Sequence, residues 1–201
     1  MTDWKLLLIG GASGVGKTEV AERIARRTGA TLVQMDDFQA LLEALTNPEQ
    51  CPILHRWRVD PDVGSWTVDD FVRQTIAIGE WLGPGIEAVV ADRLTERRRI
   101  VLEGDFLLPS VARRCLALGE VRCAFLHEPS TDRIAENYRL REPEAGDQSF
   151  RAAVSAAYSR WLAEDAARVG IPVVGARPWR TAAMRVLCRI AEGRQEGRDD
   201  G

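Results

Sequence analysis

Residues 5–18 of this chain read Lys-Leu-Leu-Leu-Ile-Gly-Gly-Ala-Ser-Gly-Val-Gly-Lys-Thr, an apolar run that passes directly into a glycine-rich loop. The unbroken apolar residues Leu6 to Ile9 are typical of a strand buried on both faces of a parallel sheet. After the loop, residues 19–27 carry apolar side chains at helical spacing, and Gly29 is suited to end that helix. The stretch therefore predicts a strand, a loop and a helix in immediate succession.

The loop matches the pattern G-x-x-x-x-G-K-[ST], which binds nucleotide phosphates. Its glycines let successive backbone N–H groups point at phosphate oxygens, and the following helix adds the positive end of its dipole. We expect Lys17 to reach the β- and γ-phosphates of ATP and Thr18 to hold Mg²⁺. A purely structural glycine turn is the alternative, which the flanking strand and helix disfavour. The predicted nucleotide-binding residues here are Gly11, Ala12, Ser13, Gly14, Val15, Gly16, Lys17 and Thr18.

The composition limits the classes of protein to which the chain can belong. With 201 residues, 45% of them hydrophobic and 28% charged, the chain has the size and composition of one globular domain. A net charge of −3 gives no support for binding nucleic acid or a membrane surface. The four cysteines form no CxxC pair, which favours reduced thiols in a cytoplasmic protein over a metal site. No apolar run approaches the roughly 18 residues of a membrane span. We expect a monomer or a homodimer.

Four further apolar runs follow the first one, and segments of helical length separate most of them. They lie at residues 31–35, 100–103, 121–126 and 171–174. This alternation predicts an α/β fold, a three-layer sandwich in which a central five-stranded parallel sheet has helices on both faces. We expect residues 1–192 to form this single domain and the polar residues 193–201 to form a flexible tail.

Acidic residues follow the second and third apolar runs, where the carboxyl ends of parallel strands meet ligands. We expect Asp36 to accept the proton of an acceptor hydroxyl and Asp37 to contact the substrate or Mg²⁺. The alternative is that one of the two merely caps the following helix. Glu103 is the last residue of the third run and Asp105 follows it, and one of the two is expected to contact Mg²⁺. The sequence leaves open which one does, and Glu103 is also a candidate for substrate binding.

The long stretch at residues 39–98 is expected to be mainly helical and to bind the acceptor. Thr67 is predicted to cap a helix that Gly83-Pro84-Gly85 ends, and residues 51–66 are expected to be irregular. A cluster of basic side chains in the irregular part is suited to clamp an anionic acceptor, or alternatively to lie at the surface. The candidate substrate-binding residues of this cluster are His55, Arg56 and Arg58.

Arginines are concentrated in a predicted helix and loop at residues 133–148, which we expect to close over the nucleotide as a lid. Arg139 and Arg141 stand where the helix gives way to the loop, so they are the predicted catalytic arginines. A solvated helix face is the alternative for this cluster. Two further arginines are expected to contact the nucleotide: Arg133 and Arg177.

Two segments carry a resemblance to a known family. Residues 10–17, together with Ile-Val-Leu-Glu-Gly-Asp-Phe-Leu-Leu-Pro at 100–109, resemble the P-loop small-molecule kinases of the nucleoside and nucleoside-monophosphate kinase group, notably 2-phosphoglycerate kinases and uridine kinases. Asp36 is similar in position to the base of chloramphenicol phosphotransferases. The resemblance implies the P-loop NTPase sandwich, ATP and Mg²⁺. Asn137 and Leu140 depart from the lid of uridine kinases, which has basic residues there.

The predicted function is that of an ATP-dependent phosphotransferase, which moves the γ-phosphate to a hydroxyl of a metabolite, nucleoside or antibiotic. The alternative is an ATP-binding switch or ATPase that acts on a macromolecular partner. A GTPase is disfavoured because no Asn-Lys-x-Asp motif occurs, and an ABC-type ATPase because no Leu-Ser-Gly-Gly stretch occurs. A nucleic-acid 5′-end kinase would need a basic channel, which the net charge disfavours.

Overall fold

A parallel five-stranded sheet lies at the centre of residues 4–192, the part of the chain that the computed structural model describes. Its strands are β1 (Leu6–Gly10), β2 (Thr31–Gln34), β3 (Ile100–Gly104), β4 (Val121–His127) and β5 (Val173–Gly175). They pair in the order β2-β3-β1-β4-β5, and every pair is parallel. The predicted sheet is therefore confirmed, while the predicted tail at 193–201 lies outside the described residues.

Helices cover both faces of this sheet. They are α1 (Lys17–Thr28), α2 (Met35–Leu45), α3 (Pro52–Val59), α4 (Val68–Arg93), α5 (Pro109–Leu116), α6 (Thr131–Arg141), α7 (Ser149–Arg168) and α8 (Trp179–Glu192). α1 packs with α8, whereas α4, α5 and α7 pack with one another. Because β1 and β3 are buried along their whole length, apolar side chains fill both faces, as expected of a parallel sheet. The three-layer α/β sandwich is confirmed.

The strand register brings the phosphate loop and the acidic strand end together. Gly10, the last residue of β1, is paired with Gly104, the last residue of β3. Gln34, at the end of β2, is paired with Glu103. The carboxyl ends of the three strands therefore meet at one edge of the sheet, where the chain continues into the loop and into α2.

Helix α4 corrects the predicted stop at Gly83-Pro84-Gly85. Thr67 caps the helix as predicted, but the helix continues through the proline to Arg93. Buried side chains recur every four residues across the proline, at Ile78, Leu82, Ile86 and Val90. Burying this stripe offsets the roughly 3 kcal/mol that proline costs inside a helix. Gly79 allows close packing, since a Cβ there would lie 2.7 Å from the side chain of Leu108.

Two smaller differences concern the helical layer beside β2. Residues 51–66 were expected to be irregular, but Pro52 begins the helix α3, because proline suits the first helical position. Met35 was predicted to be the last residue of the second strand, but it is the first residue of α2. Asp36 and Asp37 therefore lie in the first turn of that helix. Neither of them is its cap, because the capping position is Gln34.

Two kinds of feature are absent from residues 4–192. No helix there is long and apolar enough to cross a membrane. No three His, Cys, Asp or Glu side chains of this part of the chain come together as a metal site. Three of the four cysteines are buried free thiols, and Cys188 is an exposed one.

Candidate active site

The glycine-rich loop between β1 and α1 has the curled backbone that its sequence predicts. Gly14 and Gly16 have φ values of 77° and 90°, in the left-handed region that favours glycine. A Cβ on Gly14 would also lie 3.0 Å from the side chain of Ile134 in α6. Gly16 directly precedes α1, so the loop lies at the positive end of that helix. The loop is a P-loop closed on one side by α6.

Lys17 is buried among carboxylates. Its Nζ contacts the carboxylate of Asp105 and lies 3.8 Å from Oε2 of Glu103. Burial by itself would lower the pKa of Lys17, but attraction by Asp105, Glu103 and Asp36 outweighs burial and raises that pKa above its usual value. Lys17 is therefore a fixed positive charge at the phosphate loop.

Glu103 is hydrogen-bonded to Thr18, and both residues are predicted metal ligands. Its Oε1 accepts hydrogen bonds from the Thr18 hydroxyl at 2.9 Å and from Nε2 of Gln34 at 2.9 Å. Its Oε2 is buried without a hydrogen-bond partner. An unsatisfied carboxylate oxygen beside a hydroxyl is the kind of hard-oxygen set that Mg²⁺ prefers. Thr18 and Glu103 thus fit Mg²⁺, and Gln34 is a supporting residue that sequence reasoning missed.

Asp36 faces this charged cluster from the first turn of α2. Its carboxylate accepts a hydrogen bond from the backbone N–H of Asp105. The residue is exposed at the mouth of a cavity, but its carboxyl is partly desolvated. Desolvation raises the pKa of Asp36 to about 6. Repulsion from Asp105 and Glu103 also raises this pKa, whereas attraction to Lys17 lowers it. Asp37 is exposed and does not line that cavity.

The turn after β3 holds Asp36 in this position. Gly104 permits close contact with α2, since a Cβ there would lie 2.5 Å from the Cβ of Met35. The Tyr158 hydroxyl of α7 donates to the carbonyl oxygen of Asp105 at 2.9 Å. Asp105 is thus joined to Lys17 by its side chain, to Asp36 by its N–H and to Tyr158 by its carbonyl. One residue therefore links α1, α2 and α7.

A cavity of about 310 Å³ opens beside this cluster. Asp36, Asp105 and Ser13 of the P-loop line one part of it. The remaining wall comes from helices α2, α3, α4, α6 and α7 and from the turn after β3, and several of its residues were not predicted. These include Gln39, Trp57, Thr75, Phe106, Arg151 and Tyr158. Such a cavity has the size and position of a binding site for a small acceptor.

The predicted anion clamp in α3 is not brought to this cavity. His55 is buried in the helical layer, while Arg56 pairs with Asp60 and Arg58 pairs with Glu43. Successive residues of a helix point about 100° apart, so the tryptophan between the two arginines faces the cavity while they do not. None of these three residues therefore lines the cavity, and their binding of an acceptor stays a prediction.

The two arginines predicted to be catalytic lie in different environments. Arg141, at the end of α6, has its guanidinium 5.2 Å from the ring centroid of Tyr138, a residue that lines the cavity. It also pairs with Glu142 at 2.7 Å. Arg139 is exposed, about 100° around the helix from Tyr138. Only Arg141 of the two is next to the cavity.

The other two predicted arginines meet at the buried Glu128. Arg133 and Arg177 each lie 3.8 Å from its carboxylate. Asn137 links this group to the P-loop, because it donates to the Gly14 carbonyl at 2.7 Å and accepts from Arg177 at 3.3 Å. Arg177 is thus linked to the loop through Asn137.

Replacing Lys17 by Met is expected to destabilise the unliganded protein by about 3–5 kcal/mol, because Glu103 and Asp105 would lose their buried cation. Urea unfolding of the unliganded protein measures this loss. Arg139→Met, which changes an exposed residue, is the control. A loss no larger than that of the control would contradict the prediction.

Parts of this chain are similar in sequence to known proteins. A family model described as isopentenyl transferase matches residues 4–49, from β1 to the end of α2. The 2-phosphoglycerate kinase of Methanocaldococcus jannaschii is 29% identical over 53% of this chain and 35% of its own length. That of Methanothermobacter thermautotrophicus is 28% identical over 64% of this chain and 44% of its own length. The chain thus spans less than half of the length of these relatives.

Solved structures match over almost the whole chain. A gluconokinase from Sinorhizobium meliloti 1021 is 24% identical, with 98% of both chains covered and a TM-score of 0.51. A shikimate kinase from Acinetobacter baumannii, solved in complex with shikimate, is 14% identical, with 96% of both chains covered and a TM-score of 0.55. These structural matches confirm the fold, and the sequence matches to the two 2-phosphoglycerate kinases confirm the predicted resemblance to that group.

Proposed function

We propose that this protein is an ATP-dependent phosphotransferase that moves the γ-phosphate of ATP to a hydroxyl of a small molecule. The observation that carries the proposal is the position of Asp36, whose carboxyl lines a small cavity and faces Lys17 of the P-loop. Phosphoryl transfer needs an acceptor aligned with the phosphate and a group that takes its proton. The names of the similar proteins, 2-phosphoglycerate kinase, gluconokinase and shikimate kinase, are those of small-molecule kinases.

Each residue of the site has a proposed role in this reaction. The P-loop N–H groups and Lys17 bind the phosphates, and Arg133 and Arg177, which meet at Glu128, are the arginines proposed to contact the nucleotide. Thr18 and Glu103 would hold Mg²⁺, which when bound neutralises charge on the phosphates. Asp36 takes the proton from the acceptor hydroxyl. The hydroxyl oxygen forms a bond to the γ-phosphorus, and the bond between that phosphorus and the oxygen that bridges it to ADP breaks. Arg141, which lies beside Tyr138, is proposed rather than Arg139 to offset charge on the transferring group.

An acceptor screen tests the proposal. The protein is incubated with Mg-ATP and a panel of sugars, polyols, hydroxy acids, nucleosides and hydroxyl-bearing antibiotics. We expect ADP to form only with an accepted compound, and mass spectrometry to identify its phosphate ester. ATP hydrolysis that depends on a macromolecular partner, without any phosphorylated small molecule, would contradict the proposal and favour a switch or ATPase.

The rate is expected to fall in acid as Asp36 takes up a proton. Its pKa is raised to about 6, so the carboxylate is the main form above that pH and can accept a proton there. As pH falls through about 6, the protonated carboxyl can no longer act as a base, and kcat/KM for the acceptor should decline tenfold per pH unit. The measurement is kcat/KM across the pH range, with ADP affinity by calorimetry as the control. A profile that stays flat well below that pH would contradict the role of Asp36.

A further inference from the structure

The cavity beside the P-loop has opposite charges on different parts of its wall. Asp36 and Asp105 supply negative charge near Lys17. Of the described residues that line the cavity, only Arg151 in α7 is basic. A ligand in this space therefore meets a base and the phosphate loop at one place and a guanidinium at another.

The guanidinium of Arg151 is held in a fixed plane. Its Nη1 donates to Oε2 of Glu142 at 2.7 Å and to Oε1 of Gln148 at 2.9 Å. Its Cζ lies 4.1 Å from the ring centroid of Tyr138, which is stacking distance. Guanidinium carries five N–H donors, and Nη1 makes both of these hydrogen bonds, so further donors remain for a ligand. A planar fork with free donors is suited to bind a carboxylate or a phosphate.

The charges around Arg151 do not balance. Glu142 is shared, because it pairs with Arg141 at 2.7 Å and with Arg151 at 2.7 Å. Hydrogen bonds from Arg151 and Arg141 lower the pKa of Glu142, so this carboxylate stays ionised. Two guanidinium groups thus face one carboxylate, and one positive charge remains beside the cavity. A second anion would compensate it.

We propose that the acceptor is a small hydroxy acid, with its carboxylate or phosphate group on Arg151 and the reacting hydroxyl at Asp36. The inference rests on the proposed function and adds the chemical class of its substrate. Gln39 and Thr75 add polar groups to the wall of the cavity, and Trp57 and Phe106 form an aromatic part of it with ring centroids 6.5 Å apart. The 310 Å³ volume limits the acceptor to the size of a small metabolite.

Calorimetry with acid and neutral pairs tests the anion site directly. The wild-type protein, saturated with Mg-ADP, is titrated with gluconate against sorbitol, with glycerate against glycerol, and with 2-phosphoglycerate. We expect at least one acid to bind and its neutral partner to bind far more weakly. The carboxylates and the phosphate ester are separate arms, so they show which anion is recognised.

Three variants assign the binding to Arg151. Arg151→Gln is expected to weaken acid binding by about 10- to 100-fold, the cost of losing hydrogen bonds from a charged donor. Arg151→Lys should give an intermediate loss, because a point charge replaces the planar fork. Arg160→Gln makes the same change at an exposed position of α7 and should leave acid binding as it is. Unchanged ADP affinity in all three shows that they are folded.

Each result decides the matter. Equal acid binding by wild type and Arg151→Gln, or binding of neutral polyols alone, or no acid binding at all, would overturn the anion site. Turnover in the acceptor screen separates this inference from the proposed function. If only neutral compounds are phosphorylated, the kinase proposal stands and the acid class is wrong. If acids bind through Arg151 but are never phosphorylated, the anion site stands and the kinase proposal is wrong.

Discussion

Replacing Asp36 by Asn should lower kcat about 10²- to 10⁴-fold, the usual contribution of a positioned general base. Asparagine has nearly the same shape as aspartate but cannot take up the acceptor proton. Its amide also removes a negative charge from the neighbourhood of Lys17, so we expect ADP to bind as tightly as before or more tightly. Steady-state rates with the acceptor found by the screen, together with ADP affinity, measure both effects.

Asp37→Asn is the matched comparison for this experiment. It makes the same change one residue along α2, at an exposed side chain that does not line the cavity, and less than about tenfold loss is expected of it. If Asp37→Asn had the larger effect, the two aspartates would have to exchange roles. If Asp36→Asn kept full activity, the phosphotransferase mechanism proposed here would fail.

Replacing Phe125 by Ala should destabilise the protein by about 3–5 kcal/mol, the usual cost of removing a buried aromatic ring. Phe125 lies in β4 with no solvent exposure, opposite Gly10 in the sheet register. A Cβ on Gly10 would be 2.2 Å from the Phe125 ring, so the ring packs directly against the residue that leads into the P-loop. The truncation would therefore leave a cavity beneath the phosphate site.

Denaturant unfolding measures this loss, and Phe125→Leu is its control. Leucine retains much of the volume, so we expect a clearly smaller loss than with alanine. Because the cavity would lie under the loop, the alanine variant should also bind ADP more weakly at a temperature where it is still folded. A loss of stability below about 1 kcal/mol would show that the ring is not part of the core that supports the loop.

The fold and one half of the site could be predicted from local sequence. The P-loop is a continuous segment, and the apolar runs of β1 and β3 are long enough to identify as buried strands. Since parallel strands place their carboxyl ends together, the positions of Asp36 and Glu103 followed from chain order alone. These features depend on a few neighbouring residues and one rule of topology.

The acceptor side could not be predicted in the same way, because it is assembled from separate helices. Arg151 follows the predicted lid by three residues, but only the packing of α6 against α7 brings it over Tyr138. The orientation of the basic cluster in α3 could not be predicted either, since the direction in which a short helix faces depends on the elements packed around it. The predicted stop at Pro84 failed because a strong local signal was outweighed by burial along the rest of α4.

The contact between Lys17 and Asp105 has a consequence for how tightly nucleotide is held. In the unliganded protein the lysine already has an internal counterion, so an arriving phosphate competes with a tethered carboxylate for the same ammonium group. The dissociation constant of a nucleotide would then reflect the exchange of the Asp105 carboxylate for a phosphate at Lys17, and not the attraction between Lys17 and the phosphate alone. In the proposed reaction the same competition would favour release of product, because the displaced Asp105 carboxylate stays nearby and can pair with Lys17 again.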